Sequence, residues 1–146
     1  MFADFIKRLT QPNPTALLDD DARLALTALL VRIARADNAY TDPEKERIDQ
    51  INTRRYALDI NAAQALRSDA EHLESEAPDT VRFTRAIKDA VPYEDRRAVV
   101  DALWQVVLAD GGRADEEDAL VRMITNFLGV SDRDSALARQ AIERGA

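Results

Sequence analysis

Ala109–Asp110–Gly111–Gly112–Arg113–Ala114–Asp115–Glu116–Glu117 has an earlier echo in Ala36–Asp37–Asn38–Ala39–Tyr40–Thr41–Asp42–Pro43–Glu44. The two stretches stand 73 positions apart, and that one offset also aligns Leu30 with Leu103, Ile33 with Val106, Ile48 with Val121 and Ile51 with Ile124. Each copy reads as an apolar helix, Ala-Asp, a short break, Asp-x-Glu and a second amphipathic helix. This pattern predicts an all-α protein: a compact bundle of seven to eight helices containing two pseudo-repeated helical hairpins.

Working outward, the rest of the chain agrees. Only four Gly and five Pro occur in 146 residues, and Ala, Leu, Arg, Asp and Glu are abundant, which favours helix throughout. Phe2, Phe5, Ile6 and Leu9 fall at helical spacing, so a short helix is expected over 2–10, ended by Pro12 and Pro14. The segment 1–14 thus reads as an N-terminal helix with a Pro-containing linker, and 15–146 as the core of a single domain. Residues 24–34 are apolar on nearly every side, the mark of a buried central helix. Thr41…Glu44 forms a capping box, or alternatively Asp42 caps with Pro43 at the first helical position. Asp59 or Asn61 starts the next helix, Pro78 stops it, and Asp79 caps another. After Val91-Pro92 comes a second apolar helix with Trp104 among its Val and Leu residues. Gly129 is a C-cap, and a last helix is expected to bury Leu137, Ala138, Ala141 and Ile142.

The 27 acidic and 20 basic side chains give a net charge of −7 and a pI near 4.7. Such a surface repels phosphate backbones, so nucleic acid is not an expected partner, whereas cations or a basic protein surface are. There is no cysteine, hence no disulfide framework and no thiolate metal site. The N-terminus lacks the layout of a secretory signal. The longest apolar run, Ala25 to Val31, is too short to span a bilayer, and a cytoplasmic location is expected. His72, the one histidine, lies among glutamates, which predicts a solvated side chain and no zinc triad. No nucleophile–base set or phosphate loop is assembled in the sequence, so an enzyme is not expected.

Asp37 and Asp110 are the physically unusual residues. Each follows the C-terminus of a helix, where an anion is disfavoured by roughly 0.3–1 kcal/mol. A divalent cation, or an arginine such as Arg35 or Arg113, offsets that. Glu44 and Glu117 stand at helix N-termini, where capping and the helix dipole already account for them. Carboxylates grouped in a loop with accessible carbonyls at Gly111 and Gly112 suit Ca²⁺ or Mg²⁺. Turn-and-cap chemistry with no ion is the competing reading. An EF-hand is excluded, because its twelfth-position glutamate is replaced by Ile48 and Val121.

Leu30–Glu44 (LVRIARADNAYTDPE) and Leu103–Glu117 (LWQVVLADGGRADEE) resemble the paired alanine-aspartate-glycine … glutamate signatures of the TerB-like tellurite resistance family. They are also similar to the related N-terminal region of membrane-anchored DnaJ-like co-chaperones. Arg97 ahead of the Leu103-Trp104 helix and the run Phe127-Leu128-Gly129-Val130-Ser131 add to the resemblance, which covers the chain from about residue 20 onward. It implies an all-α bundle of about seven helices, a bacterial stress-response setting, and metal binding by acidic residues. Those residues fall here on Asp37, Glu44, Asp110 and Glu117. Asn38 stands where the family usually has glycine, which makes the second turn the better site. The expected protein is therefore a non-enzymatic TerB-like one, with no certain cofactor beyond a divalent cation at these four residues and with an unidentified protein partner. The alternative is a pure protein-interaction module with an acidic surface and no metal.

Overall fold

The structure, a computed structural model, describes residue 6 and residues 19–36, 39–77, 79–108 and 115–145. Among these residues there are seven helices and no strand: α1 (Asp19–Ala34), α2 (Asp42–Tyr56), α3 (Ile60–Glu76), α4 (Thr80–Ala90), α5 (Tyr93–Val107), α6 (Asp115–Phe127) and α7 (Asp132–Gly145). The expected helix over 2–10 lies outside the described residues except at Ile6, which is helical and packs, half-buried, against the core.

Local chemistry explains most of the helix ends. Thr41 caps α2: its Oγ1 accepts the Glu44 amide, and Glu44 reaches back to the Thr41 amide, a complete capping box with Pro43 in the first turn. Of the two readings of this start, the box is the one formed. Asp59 accepts the Ala62 amide at 2.8 Å to open α3, and Asp79 accepts the Arg82 amide at 3.0 Å to open α4. At the end of α6, Gly129 has φ 73°. Its amide donates to the Asn126 carbonyl and the Val130 amide to that of Thr125. These are the two bonds of a Schellman cap, which needs the left-handed conformation that glycine adopts without strain.

The core is built around α1. Ala25, Leu26, Ala28, Leu29, Leu30, Val31, Ile33 and Ala34 are all buried, so the helix has to be enclosed rather than laid on a surface. It packs against α2, α3, α4, α5 and α6. Helix α5 is the second central element, with Val99, Val100, Leu103, Trp104, Val106 and Val107 inside. It packs on α1, α2, α6 and α7. Helix α4 is amphipathic: Phe83, Ala86, Ile87 and Ala90 form the buried i, i+3, i+4, i+7 stripe, and it packs on α6. Arg96 fastens the α4–α5 corner to the end of α6, donating through Nε to the Val91 carbonyl and through Nη1 to that of Leu128.

The last helix departs from expectation. Leu137 is 47% exposed and Ala141 is exposed, whereas Ala138 is buried as expected, beside Ser135, and Ile142 packs half-buried against the core. Among the described residues, helix α7 packs mainly on α5 and α6, so one face is covered and Leu137 and Ala141 lie outside it.

These burials predict opposite outcomes for two truncations. Phe83→Ala removes a fully buried ring and should lower unfolding free energy by about 3–5 kcal/mol. Leu137→Ala should change it by less than about 0.5 kcal/mol. Urea denaturation followed by circular dichroism measures both.

Candidate functional site

The first acidic turn begins where α1 runs out. The last helical carbonyls take the Arg35 amide at 3.0 Å and the Ala36 amide at 3.2 Å. Ala39 and Tyr40 lead into the Thr41 cap. Asp37 and Asn38 lie outside the described residues, as do residues 109–114 of the second turn and the side chains of residues 115–117. Of the four expected metal-binding residues, Asp37, Glu44, Asp110 and Glu117, the side chain of Glu44 alone is among those described. It is 2% exposed. Its Oε1 accepts from the Thr41 amide at 2.9 Å and from the Thr41 hydroxyl at 3.0 Å. One carboxylate oxygen of Glu44 is thus occupied by the cap. Among the described residues, no group of three or more His, Cys, Asp and Glu side chains is placed to hold a metal ion.

Beneath this turn runs a chain of alternating charge that joins α1, α2 and α3. Arg67 Nε donates to Asp49 Oδ1 at 2.8 Å, and Arg67 Nη1 donates to Glu71 Oε2 at 3.0 Å. The Tyr40 hydroxyl donates to the same Glu71 oxygen at 2.5 Å. One turn further along α3, Glu74 receives Arg35 Nη1 at 2.8 Å and Arg32 Nε at 3.3 Å. Arg35 also donates to the Glu71 carbonyl at 3.4 Å. The Arg35 guanidinium and the Lys45 ammonium both lie by the Tyr40 ring, 5.1 Å and 4.8 Å from its centroid. Three guanidinium groups and three carboxylates balance here. Arg35, the arginine two residues before Asp37, therefore directs its charge at Glu74 across the helix packing.

Burial gives these pairs weight that surface pairs lack. Asp49 is 5% exposed, so removal of Arg67 would leave a carboxylate in a poorly solvated place. Burial alone would loosen the Arg67 proton, but the hydrogen bond and charge of Asp49 outweigh it and hold that proton more tightly than usual. Tyr40 titrates well above an ordinary phenol, first because it is desolvated and then because the Glu71 carboxylate faces it. None of this network was visible in the turn motifs. The one signal was Asp49 and Asn52 sitting beside Ile48 on the inner side of α2. Asn52 is buried and donates to Thr27 of α1 at 3.2 Å.

An all-helical fold among the described residues, with two central apolar helices each followed in sequence by an acidic stretch, defines the class. Residues 23–140, from the first half of α1 to the middle of α7, match the family of the tellurite resistance protein TerB. The chain belongs to that family, as the paired turns imply. No curated protein and no solved structure matches it. Among the described residues, no helix is long and apolar enough to cross a membrane.

Two measurements probe the network. Thr41→Ala should cost about 1 kcal/mol, read as a shift in denaturation midpoint. The raised pKa of Tyr40 means that the folded chain keeps a proton which the unfolded chain loses near pH 10. Stability must therefore fall as pH rises above that value. In Tyr40→Phe the fall should be shallower, measured as melting temperature between pH 9 and 11.

Proposed function

We propose that this TerB-family chain acts without catalysis, and that its two acidic interhelical turns take divalent cations and thereby modulate contacts with a partner protein. Asp37 and Asp110 are the primary ligands in this reading, with Glu44 and Glu117 behind them. The observation that carries it is the occupation of Arg35. The arginine nearest to Asp37 in sequence is engaged by Glu74 and Glu71, so an anion placed after the end of α1 is best offset by a cation from solution. Helix packing gives further support. Helix α1 packs on α2 and α3, α5 packs on α6 and α7, and α1 and α5 pack on each other. That is the arrangement expected of two like hairpins.

One observation favours the alternative, an interaction module without metal. Glu44 is buried in its capping box and is already hydrogen-bonded through Oε1. A carboxylate so held serves the helix whether or not an ion is present. In that reading the acidic surface, with its net charge of −7, recruits a basic partner directly.

Calcium and magnesium titrations followed by backbone amide resonances separate the two. The metal reading expects saturable shifts centred on residues 36–44 and 109–117, lost in Asp37→Asn/Asp110→Asn, and a rise in melting temperature that vanishes in chelator. Amides in both turns that stay still at millimolar ion would refute it in favour of the metal-free module.

A further inference from the structure

A second polar feature lies away from the described part of the first turn. Between the later half of α6 and the first half of α7, with Trp104 of α5 as its floor, is a cleft of about 470 Å³. Its polar lining includes Arg122, Thr125 and Asn126 from α6 and Ser135 and Arg139 from α7.

Thr125 is the informative residue. Threonines within helices usually return the hydroxyl to a carbonyl one turn back. Thr53 does so to Asp49 and Thr84 does so to Thr80. Thr125 is 1% exposed, and its Oγ1 is buried with no hydrogen-bond partner. The Nε of Arg139, also on the cleft, is buried and makes no hydrogen bond, with the Glu143 carboxylate as an ion-pair partner at 3.8 Å. Thr125 Oγ1 is the unmet demand at this cleft, because a buried polar atom without a partner loses its water and gains nothing in return.

The chemistry of the demand is that of donors. The Ser135 hydroxyl already accepts from Trp104 Nε1 at 3.0 Å, so it has its own proton to offer. Arg139 offers Nε–H, and Thr125 and Asn126 offer O–H and N–H. Arg139 also stands over the Trp104 ring, 5.7 Å from its centroid. The matching group is an oxygen anion. Its charge is limited by acids beside the cleft. Asp132 is among the lining residues, Glu143 lies 3.8 Å from Arg139, and Asp118 lies 3.4 Å from Arg122. A monoanion is tolerated there better than a dianion. The volume is that of a small-molecule pocket rather than an ion's seat, and Trp104 and Ala136 supply apolar wall.

We infer that this cleft binds a small organic monocarboxylate, with the carboxylate received by Thr125, Ser135 and Arg139 and a short apolar body laid against Trp104 and Ala136. Because its lining shares no residue with the acidic turns, its failure and theirs are separately observable.

Trp104 is the sole tryptophan, which makes it the reporter. The full chain is titrated with butyrate, and in parallel with inorganic phosphate and with sodium chloride at equal ionic strength. The indole emission and the indole N–H resonance are followed in each. Butyrate should move both saturably, and chloride should not. Thr125→Val keeps the side-chain shape and Arg139→Lys keeps the charge. Each should weaken butyrate binding about tenfold, the loss of one hydrogen bond to a charged group. Thr125→Val should melt no lower than the parent, since it removes an unpartnered hydroxyl. An indole unmoved by millimolar butyrate, phosphate binding as tightly as butyrate, or either variant binding like the parent would overturn the inference. So would a Thr125→Val protein that melts well below the parent, because the hydroxyl would then already serve the fold.

Discussion

Helix α1 has no side that tolerates water along most of its length, and the bundle is arranged to meet that constraint. Five helices enclose it. The burial has a consequence for charge. Arg32 and Arg35 occupy its final turn and the residue beyond, where the helix leaves the core beside α3. Their guanidinium groups reach Glu74 on that neighbour. Even the one polar residue of the buried stretch, Thr27, is matched by Asn52. The polar seam beneath the first turn thus follows from enclosing α1. A charged residue at the rim of a core must carry its partner with it.

The features legible in the sequence are those whose physics is local. The Thr41–Glu44 box, the Asp59 and Asp79 caps and the Gly129 cap each span only a few residues, and side-chain chemistry there dictates backbone conformation directly. The two central helices were equally plain, because apolar residues on all sides admit a single placement. Partners far apart in sequence were not legible. Asp49 with Arg67, Tyr40 with Glu71 and Arg35 with Glu74 are joined by the packing of α3 across α1 and α2, and no spacing encodes that. Leu137 shows the same limit from the other side. Its helical period resembles that of a buried residue, but only neighbouring helices decide whether a face is covered, and α7 has too few of them.

The candidate site divides in a similar way. The doubled Ala-Asp turns led to the tellurite resistance family, and the family match over residues 23–140 agrees. Of the four carboxylates drawn from those turns, Glu44 has a defined occupation within its helix cap, whereas Asp37, Asp110 and Glu117 fall outside the described side chains. The cleft beside Trp104 had no counterpart in the motifs, because its residues come from three helices and none is unusual alone.

What joins the acidic turns into a function is the proposal that a cation offsets the carboxylates of Asp37 and Asp110, since the Arg35 guanidinium beyond α1 is engaged by Glu74. Crystals grown in a calcium salt test this most directly. The account predicts an ion at the second turn, bound by Asp110 and loop oxygens at about 2.3–2.6 Å. Well-ordered turns without an ion, with Asp37 and Asp110 each tied to a guanidinium or backbone amide, would contradict it.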